Sequence, residues 1–509
     1  MKSKKIWVFL GVLGIVLSGW VVSKLWAEKD NIYESLRLFT RVVALVQKNY
    51  VRDVSSDELI ENALKGMLEK LDPYSTYLTK KEYADLQVTT RGEFGGLGIQ
   101  IGIRDEILTI IAPLEGTPAW RAGLQAGDRI IEINGESTEG ITIEEAVSKL
   151  RGTPGTKVTI KIAREGAAKP FNVTITREII KIKAVPYAAL ISDKIGYIRF
   201  SSFSQRAYDE VKDALDSLFK EGARKIILDI RSNPGGLLRE AVEVADIFLP
   251  SGKTVVITKG RDPSSYRELY SLSSPLHGTE YLLVLLVDHG SASASEILAG
   301  AIQDWERGLI IGSDTTFGKG SVQTLHRVPE TEGAVKLTTA YWYTPSGRCI
   351  DVHKVKREKK KEKKFYTLGR HHRLLKGEGG IIPDIIVEVP YIHPIVNKLI
   401  IKSAFFKYAV KYARRHKDIP KDFKVDDQVF NDFVKFLEKE KIFKPTEEEK
   451  KEMEIAKEDI KRRLESEILS KYYGIAGTYM VILRYDPLIK KAEEILKEAE
   501  SLGDLFKNI

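Results

Sequence analysis

The spacing of apolar residues changes several times along the chain, and each change marks a different region. Between residues 32 and 71, apolar residues recur every three or four positions, which predicts amphipathic helices. From residue 92 to residue 177, short β-branched runs alternate with Gly and Asn turns, and only residues 143–150 suit a helix. This second pattern predicts a small β-rich domain.

Residues 187–388 show a third pattern, in which short apolar runs alternate with amphipathic helical stretches. The uninterrupted apolar run at 281–287 is the clearest strand, because a strand covered on both faces needs apolar residues at every position. Alternation of this kind predicts βαβ units around a largely parallel sheet. After Pro390 the chain becomes rich in Lys and Glu, with phenylalanines at helical spacing, which predicts a helical C-terminal part.

The N-terminus combines positive charge with an apolar stretch. Lys2, Lys4 and Lys5 precede the uncharged residues 6–22, a pattern typical of an export signal. The stretch is just long enough to span a bilayer and is followed by a poor cleavage site, so we favour an uncleaved anchor over a removed signal peptide. Because the positive end stays in the cytoplasm, we expect a bacterial inner-membrane protein whose remaining chain faces the periplasm or the cell exterior.

Composition narrows the choice of partners and cofactors. At 509 residues the chain is long enough for several folding units. The formal net charge of +9 comes partly from the Lys-rich run 354–364, which we interpret as a solvated surface, with contact to anionic lipid as the alternative. The single cysteine, Cys349, excludes an intrachain disulfide, and no His or Cys cluster has the spacing of metal ligands. We therefore expect no metal, no cofactor and no nucleic acid.

A glycine-rich segment opens the β-rich region. Residues 95–99 read Gly-Gly-Leu-Gly-Ile, and further glycines follow in Ala-Gly-Leu at 122–124, Gly-Asp at 127–128 and Ile-Asn-Gly at 133–135. Glycines let several backbone N–H groups converge on one anion, and a neighbouring sheet edge can pair with a peptide. A simple Gly-rich turn is the alternative. The two parts together resemble a PDZ domain, whose carboxylate-binding loop falls on Gly96, Leu97, Gly98 and Ile99, with Leu97, Ile99 and Ile101 as walls of the apolar pocket.

Three segments of the α/β region combine small and reactive residues. They read Asp-Ile-Arg-Ser-Asn-Pro-Gly-Gly at 229–236, Gly-Ser-Ala-Ser-Ala-Ser-Glu-Ile at 290–297 and Thr-Phe-Gly-Lys-Gly-Ser-Val-Gln at 316–323. The second segment precedes a helix, so a serine hydroxyl there lies beside a helix N-terminus whose dipole favours an oxyanion. Ser295 is predicted to cap that helix, which leaves Ser293 as the better nucleophile.

A serine nucleophile needs a base that takes its proton. His289 is too close in sequence to suit an ordinary Ser–His–Asp geometry. Lys319 stands between two glycines and is the better candidate, because a lysine in dry surroundings can be uncharged and act as a base. Gln323, four residues later, can orient the amine without stabilising its charged form.

Together with the PDZ-like part, the three segments resemble the C-terminal processing peptidases, or tail-specific proteases. The resemblance covers about residues 32–389. It implies a crotonase-like catalytic core and an acyl-enzyme, with Ser293 as nucleophile, Lys319 as general base and Gln323 as the residue that positions the lysine. It assigns the oxyanion to backbone N–H groups, those of Ala294 and of Gly235 or Gly236.

The predicted fold class is multidomain α+β, in which a crotonase-like α/β catalytic core carries an inserted PDZ domain, N-terminal helices and a C-terminal helical extension. The predicted segments are the anchor at 1–28, the N-terminal helices at 29–90, the PDZ domain at 91–178, the catalytic core at 179–390 and the extension at 391–509.

The predicted function is that of an extracytoplasmic serine endopeptidase that recognises the apolar free C-termini of proteins. The alternatives are a membrane-tethered PDZ adaptor with an inactive peptidase fold and a PDZ protease with a Ser–His–Asp triad. A homodimer is suggested by the resemblance alone, and the long C-terminal extension leaves an adaptor protein open as a further partner.

Overall fold

The computed structural model describes residues 32–358, 364–375 and 379–507, so the anchor predicted at 1–28 lies outside the described residues. None of the helices in these three ranges is both long and apolar enough to cross a bilayer. The predicted multidomain α+β class is confirmed. The described residues form two compact units, one of residues 32–81 with 324–338 and the other of residues 82–323 with the described part of 339–507.

The smaller unit contains two helices and a short strand pairing. Its elements are α1 (Ile32–Asn49), α2 (Ser56–Glu69) and β1 (Thr76–Leu78), which pairs antiparallel with β18 (Gly333–Tyr343). α2 ends before Asp72, whose carboxylate accepts the backbone N–H groups of Tyr74 and Ser75 and the hydroxyl of Thr338. This aspartate therefore makes the turn that follows α2 and joins it to β18. α1 buries none of its side chains.

The β-rich region of the larger unit follows a long connecting helix. Its main sheet is antiparallel, with strand order β3-β4-β5-β7-β8, so β3 forms an edge, while β2 pairs with β9. Leu108, Ile110 and Ile160 are fully buried between this sheet and α5. The elements are α3 (Lys80–Arg91), β2 (Glu93–Gly96), β3 (Ile99–Arg104), β4 (Ile107–Pro113), α4 (Pro118–Arg121), β5 (Arg129–Ile133), β6 (Glu136–Ser137), α5 (Ile143–Leu150), β7 (Lys157–Ala163), β8 (Phe171–Thr176) and β9 (Glu178–Lys181).

The predicted parallel sheet has the strand order β10-β11-β12-β15-β16-β21, and only its β10–β11 pair is antiparallel. Helices α6, α7 and α8 cover one face, where Leu215, Ala241 and Leu298 pack on the sheet. The elements are β10 (Tyr187–Ser192), β11 (Ile195–Arg199), α6 (Ala207–Lys220), β12 (Lys225–Asp229), α7 (Leu238–Asp246), β15 (Leu282–Val287), α8 (Ala294–Asp304), β16 (Leu309–Gly312) and β21 (Ile385–Ile386).

A second group of strands lies between these elements in the chain. In the larger unit β13 pairs with β14 and with the end of β18, and β19 pairs with β20, all antiparallel. The elements are β13 (Thr254–Gly260), β14 (Arg267–Tyr270), β17 (Ser321–Val328), α9 (Val352–Glu358), β19 (Phe365–Tyr366) and β20 (Leu374–Leu375).

The C-terminal part is helical, as its sequence pattern predicts. Phe405, Phe430 and Phe433 form its own core together with Leu464 and Leu469. The long helix α14 is broken at Gly474, whose φ of 55° lies outside the helical region. The elements are α10 (Pro394–Ile401), α11 (Ala404–Arg415), α12 (Asp427–Lys439), α13 (Glu447–Ile455), α14 (Lys457–Tyr485) and α15 (Pro487–Glu498), followed by a 3-10 turn (Leu502–Phe506).

The last helix packs on the parallel sheet although it lies far away from it in sequence. Leu488, Ile489 and Leu496 of α15 pack against the second face of the parallel sheet, which includes Ile227 and Leu286. The sheet is therefore buried on both faces, as its uninterrupted apolar strands predict.

We expect Leu496→Ala to loosen the parallel sheet, because Leu496 is fully buried against it. The free energy of opening of the β12 and β15 amides, measured by hydrogen exchange, should fall by about 2–4 kcal/mol, the usual cost of a leucine-sized cavity. Lys491→Ala on the same helix is the control, since the Lys491 side chain is 37% exposed and pairs with Glu494. Equal losses in the two variants would show that α15 does not support the sheet.

Candidate active site

The three segments singled out in the sequence meet at one edge of the parallel sheet. β12 ends at Asp229, β15 at Val287 and β16 at Gly312, and the three strands are neighbours in register. Because the carboxyl ends of parallel strands lie at the same edge, the loops that follow them come together. The segments 229–236, 290–297 and 316–323 begin at or shortly after these strand ends.

In the serine-rich turn, Ser293 differs from Ser291 and Ser295 in burial and in backbone conformation. Ser291 and Ser295 are fully buried, and their hydroxyls donate to the carbonyls of Ile230 (2.9 Å) and Asn233 (2.8 Å). The prediction that Ser295 caps the helix is wrong, because α8 already begins at Ala294 and Ser295 lies inside it. Ser293 is the residue that precedes the helix, is only partly buried and has a φ of 56°. A strained residue at the start of a helix is typical of an exposed nucleophile on a sharp turn.

Glu296 connects the turn of Ser293 to the loop of Lys319. Its fully buried carboxylate accepts four hydrogen bonds. Oε2 accepts the backbone N–H groups of Ser293 (2.8 Å) and Lys319 (2.9 Å). Oε1 accepts the hydroxyl of Thr316 (2.6 Å) and the backbone N–H of Gly318 (2.7 Å). The backbones of Ser293 and Lys319 therefore meet at a single carboxylate oxygen.

Burial raises the pKa of Glu296, and the hydrogen bonds from Thr316, Gly318 and Lys319 act in the opposite direction. Four donors surround the carboxyl group, and this arrangement suits the ionised form, which only accepts hydrogen bonds. The sequence contains a signal for this residue, an acidic side chain three positions after Ser293, but the pattern alone indicates only a helix N-terminus.

The loop of Lys319 is held on its other side by Trp342. The indole N–H of Trp342 donates to the carbonyl of Lys319 (3.1 Å), and its backbone N–H donates to the carbonyl of Gly320 (2.8 Å). Trp342 is buried in the main core, so it gives the loop a rigid support. Gln323 is partly buried on β17 and donates from its side-chain amide to the Ser321 hydroxyl (3.0 Å). The roles of Lys319 as base and of Gln323 as its positioning residue stay predictions.

Gly235 lies directly against the serine turn. A Cβ atom on Gly235 would lie 2.8 Å from the backbone nitrogen of Ala294 and 2.7 Å from the carbonyl oxygen of Ala292, so only glycine allows this approach. The N–H of Gly235 donates to Asn233 Oδ1 (2.9 Å). The N–H groups of Ala294 and Gly236, in contrast, donate to no backbone carbonyl of the described residues. Of the two glycines left open by the sequence, Gly236 therefore has the more available donor.

A buried ion-pair network anchors the loop that carries these glycines. Asp229 is 2% exposed and accepts hydrogen bonds from two nitrogens of Arg231 (2.6 and 2.9 Å) and from the Tyr197 hydroxyl (2.7 Å). Burial alone would raise the pKa of Asp229, but the charge of Arg231 holds it below its ordinary value. Arg231 also pairs with Asp486 at 2.8 Å, at the start of α15. The sequence carries no signal for this link, because it joins positions 255 residues apart.

The glycine-rich loop of the β-rich domain presents free donors. The carbonyl of Leu97 accepts the N–H of Ala119 (2.9 Å), and the carbonyl of Gly98 accepts the N–H of Leu114 (2.8 Å). The N–H groups of Leu97 and Gly98 donate to no backbone carbonyl in the part of the chain that the structure describes. The Leu97 side chain is 2% exposed and belongs to the domain core, so it does not form the open pocket wall that the sequence suggests. Ile99 and Ile101 are partly buried on the edge strand β3, beside α5.

Across residues 32–358, 364–375 and 379–507, no three or more His, Cys, Asp or Glu side chains are grouped as metal ligands.

Family comparisons match four parts of the chain. Peptidase family S41 matches residues 194–359, a PDZ domain matches residues 109–164, and the N-terminal domain of the activating protease CtpB matches residues 21–82. The C-terminal helical domain described for a probable PDZ-protease matches residues 395–450 and 443–496.

Two curated proteins are similar over most of their length. The carboxy-terminal-processing protease of Bartonella bacilliformis is 38% identical over 75% of this chain and 81% of its own, and the carboxyl-terminal-processing protease of Synechocystis is 39% identical over 68% and 76%. Among solved structures, a photosystem II D1 C-terminal processing protease aligns with a TM-score of 0.37 at 26% identity, over 69% of this chain and 87% of its own.

Proposed function

Because this chain belongs to the C-terminal processing peptidases of peptidase family S41, we propose that it is a serine peptidase with a Ser293–Lys319 dyad. The observation that carries the proposal is the hydrogen bonding of Ser293 and Lys319 backbones to one oxygen of Glu296. In that arrangement Ser293 and Lys319 lie in adjacent turns at the edge of the sheet, which supports their pairing as nucleophile and base. It also places the serine beside the unused N–H groups of Ala294 and Gly236.

In the proposed reaction, Ser293 Oγ attacks the carbonyl carbon of the scissile peptide bond and its proton passes to the uncharged Lys319 amine. The negative oxygen of the tetrahedral intermediate accepts the N–H groups of Ala294 and Gly236. Lys319 then gives its proton to the leaving amine, the peptide C–N bond breaks, and an acyl-enzyme on Ser293 forms. Water, deprotonated by Lys319, hydrolyses the acyl-enzyme, while Gln323 keeps the lysine amine oriented.

The PDZ domain is proposed to capture the substrate by its free C-terminus. The unused N–H groups of Leu97 and Gly98 can donate to a terminal carboxylate, and the edge strand β3 can pair with the residues that precede it. Ile99 and Ile101 offer an apolar surface for the last side chains. The membrane-tethered adaptor with an inactive fold is less favoured, because the chain retains both Ser293 and Lys319.

Amidation of a substrate's C-terminus is expected to lower kcat/KM by at least about tenfold, mainly through KM. The reason is that a hydrogen-bonded charge contributes about 1.5–3 kcal/mol, and amidation removes it. The measurement compares two copies of an unstructured substrate with an apolar C-terminus, one free and one amidated. Identical kcat/KM values would contradict the proposed capture.

A glycine pair supplies the matched control. A Cβ on Gly98 would overlap the side chain of Thr117 at 2.3–2.5 Å and would strain a φ of +76°, so Gly98→Ala should distort the loop. This variant should show similar kcat/KM values for the free and the amidated substrate. A Cβ on Gly102, in β3, would meet the Ile111 side chain at 3.4 Å and Arg104 Nη1 at 3.7 Å, which are tolerable distances. Gly102→Ala should therefore keep the preference for the free over the amidated C-terminus.

We also propose that the enzyme is anchored by residues 6–22 and faces the periplasm or the cell exterior. The charge and apolarity of the N-terminal sequence support this location. A homodimer is proposed on the strength of α1, where Leu36, Leu38 and Leu45 are each more than half exposed. The C-terminal helices other than α15, which packs on the parallel sheet, offer surface for an adaptor protein.

A further inference from the structure

A cleft of about 500 Å³ separates the PDZ domain from the C-terminal helices. One wall is the outer face of the PDZ sheet, with Arg104, Thr109 and Arg129. The other wall comes from α11 and α12, whose Phe406 and Phe436 supply aromatic surface. This volume lies in the range typical of sites for small organic molecules. The cleft lies outside the residues that form the candidate active site and the PDZ carboxylate loop.

The register of the PDZ sheet explains why both arginines point to the same side. Gly102 pairs with Thr109, and Thr109 pairs with Arg129 on the next strand, so the three positions share one face. Arg104 lies two residues after Gly102 and therefore returns to that face. The other face carries the PDZ core, so this arginine-bearing face is the one that meets the helices.

Ion pairs across and beside the cleft use up its carboxylates. Asp105 pairs with Lys407 at 2.7 Å and Glu165 pairs with Arg414 at 2.5 Å, which ties the PDZ domain to α11. Glu440, the third carboxylate that lines the cleft, pairs with Lys411. The guanidinium of Arg164, which also lines the cleft, pairs with Asp128. The cations that remain are Arg104 and Arg129, with which no carboxylate pairs within the described ranges of the chain.

Arg104 in particular has unused hydrogen-bonding capacity. Its Nε atom is buried without a hydrogen-bond partner, and its Nη1 donates only to the carbonyl of Ile103 (3.0 Å). Its guanidinium carbon lies 5.9 Å from the ring of Phe406, and the Nζ of Lys471 lies 4.6 Å from the same ring. Burial lowers the pKa of Lys471, and the charge of Arg104 lowers it further. Lys471 itself pairs with Glu467 at 3.4 Å, so the cation at this end of the cleft that lacks a carboxylate partner within the described ranges is Arg104.

We propose that this cleft is a binding site for a small organic anion whose phosphate or carboxylate group is held by Arg104 and Arg129. A guanidinium presents paired N–H donors that match the two oxygens of such a group, and a buried donor without a partner is costly until an acceptor arrives. The aromatic rings of Phe406 and Phe436 would contact the rest of the molecule. The inference does not depend on the Ser–Lys mechanism, since no active-site residue lines the cleft.

Titration calorimetry with inorganic phosphate and with citrate, at ionic strength held constant by sodium chloride, tests the site. We expect saturable binding of at least one of the two anions to the wild-type chain. The dissociation constant should rise at least tenfold in Arg129→Gln, and binding should be lost in the Arg104→Gln/Arg129→Gln variant. Comparing the two anions separates a phosphate site from a carboxylate site.

An exposed arginine outside the cleft provides the control for net charge. Arg267 lies on β14, and Arg267→Gln should bind the anion like the wild type. Phosphate and citrate also act on proteins generally, because they are excluded from the protein surface. That general effect should be equal in all variants, so a difference between variants reports binding in the cleft. Equal binding by wild-type and double-variant protein, or no saturable binding of either anion to the wild type, would overturn the proposal.

Discussion

Replacement of Lys319 by methionine is expected to lower kcat by at least about a thousandfold, because the serine then has no group to take its proton. Ser293→Ala should cause a loss of similar size. Since the two side chains act in the same step, the Ser293→Ala/Lys319→Met double variant should be no worse than the more damaged single variant. The measurement is steady-state hydrolysis of an unstructured substrate with a free apolar C-terminus.

His289→Ala is the control for this experiment, because His289 is the other candidate base near the turn. Its ring lies 5.6 Å from that of Phe317, and its removal should leave kcat close to the wild-type value. Binding of the substrate to the PDZ domain should survive in Lys319→Met, since the PDZ loop is built from separate residues. Undiminished hydrolysis by Lys319→Met, or a large loss in His289→Ala, would falsify the Ser–Lys assignment.

The fold was largely predictable because apolar residues recur at clear helical or strand spacing in most of its elements. The helix at 143–150 occurs in the structure with the predicted limits, and the apolar run at 281–287 contains the strand Leu282–Val287. In contrast, β21 is only two residues long and β10 is an antiparallel edge of an otherwise parallel sheet, so neither leaves a strong pattern. The packing of α15 on the sheet was also missed, because amphipathicity shows that a helix has a buried face but does not say against what.

The candidate site was predictable where a motif carries its chemistry and unpredictable where it depends on tertiary contacts. Ser293, Lys319 and the paired glycines follow from short motifs, and the strands that precede their loops are neighbours in the sheet. Ser295 was misjudged because Ser293 and Ser295 both suit a helix start, and only the hydrogen bond to Asn233 shows that Ser295 is buried. The bridging role of Glu296 cannot be predicted without knowing the position of the Lys319 loop, which lies 22–23 residues away in sequence.

Glu296→Gln is expected to lower kcat by about a hundredfold with little change in KM. The amide of the variant keeps one acceptor oxygen. Its NH₂ group, however, faces two of the four groups that donate hydrogen bonds to the carboxylate in the wild type. The backbones of Ser293 and Lys319 should then move apart, and a displacement of about 1 Å at a reacting group costs about two orders of magnitude in rate. KM should change little, because Glu296 is fully buried and the PDZ domain, not Glu296, is proposed to hold the substrate's C-terminus.

Two further variants distinguish positioning from general destabilisation. Thr316→Val removes one of the four hydrogen bonds and leaves both links of Oε2 intact, so it should reduce kcat much less than Glu296→Gln. Glu243→Gln, on a side chain 34% exposed and paired with Arg239, should have no effect on kcat. If Glu296→Gln instead lowers the melting temperature while kcat per folded molecule stays at the wild-type value, Glu296 stabilises the fold without aligning the dyad. A selective fall in kcat, with the fold intact, would mean that the carboxylate sets the distance across which the proton has to move.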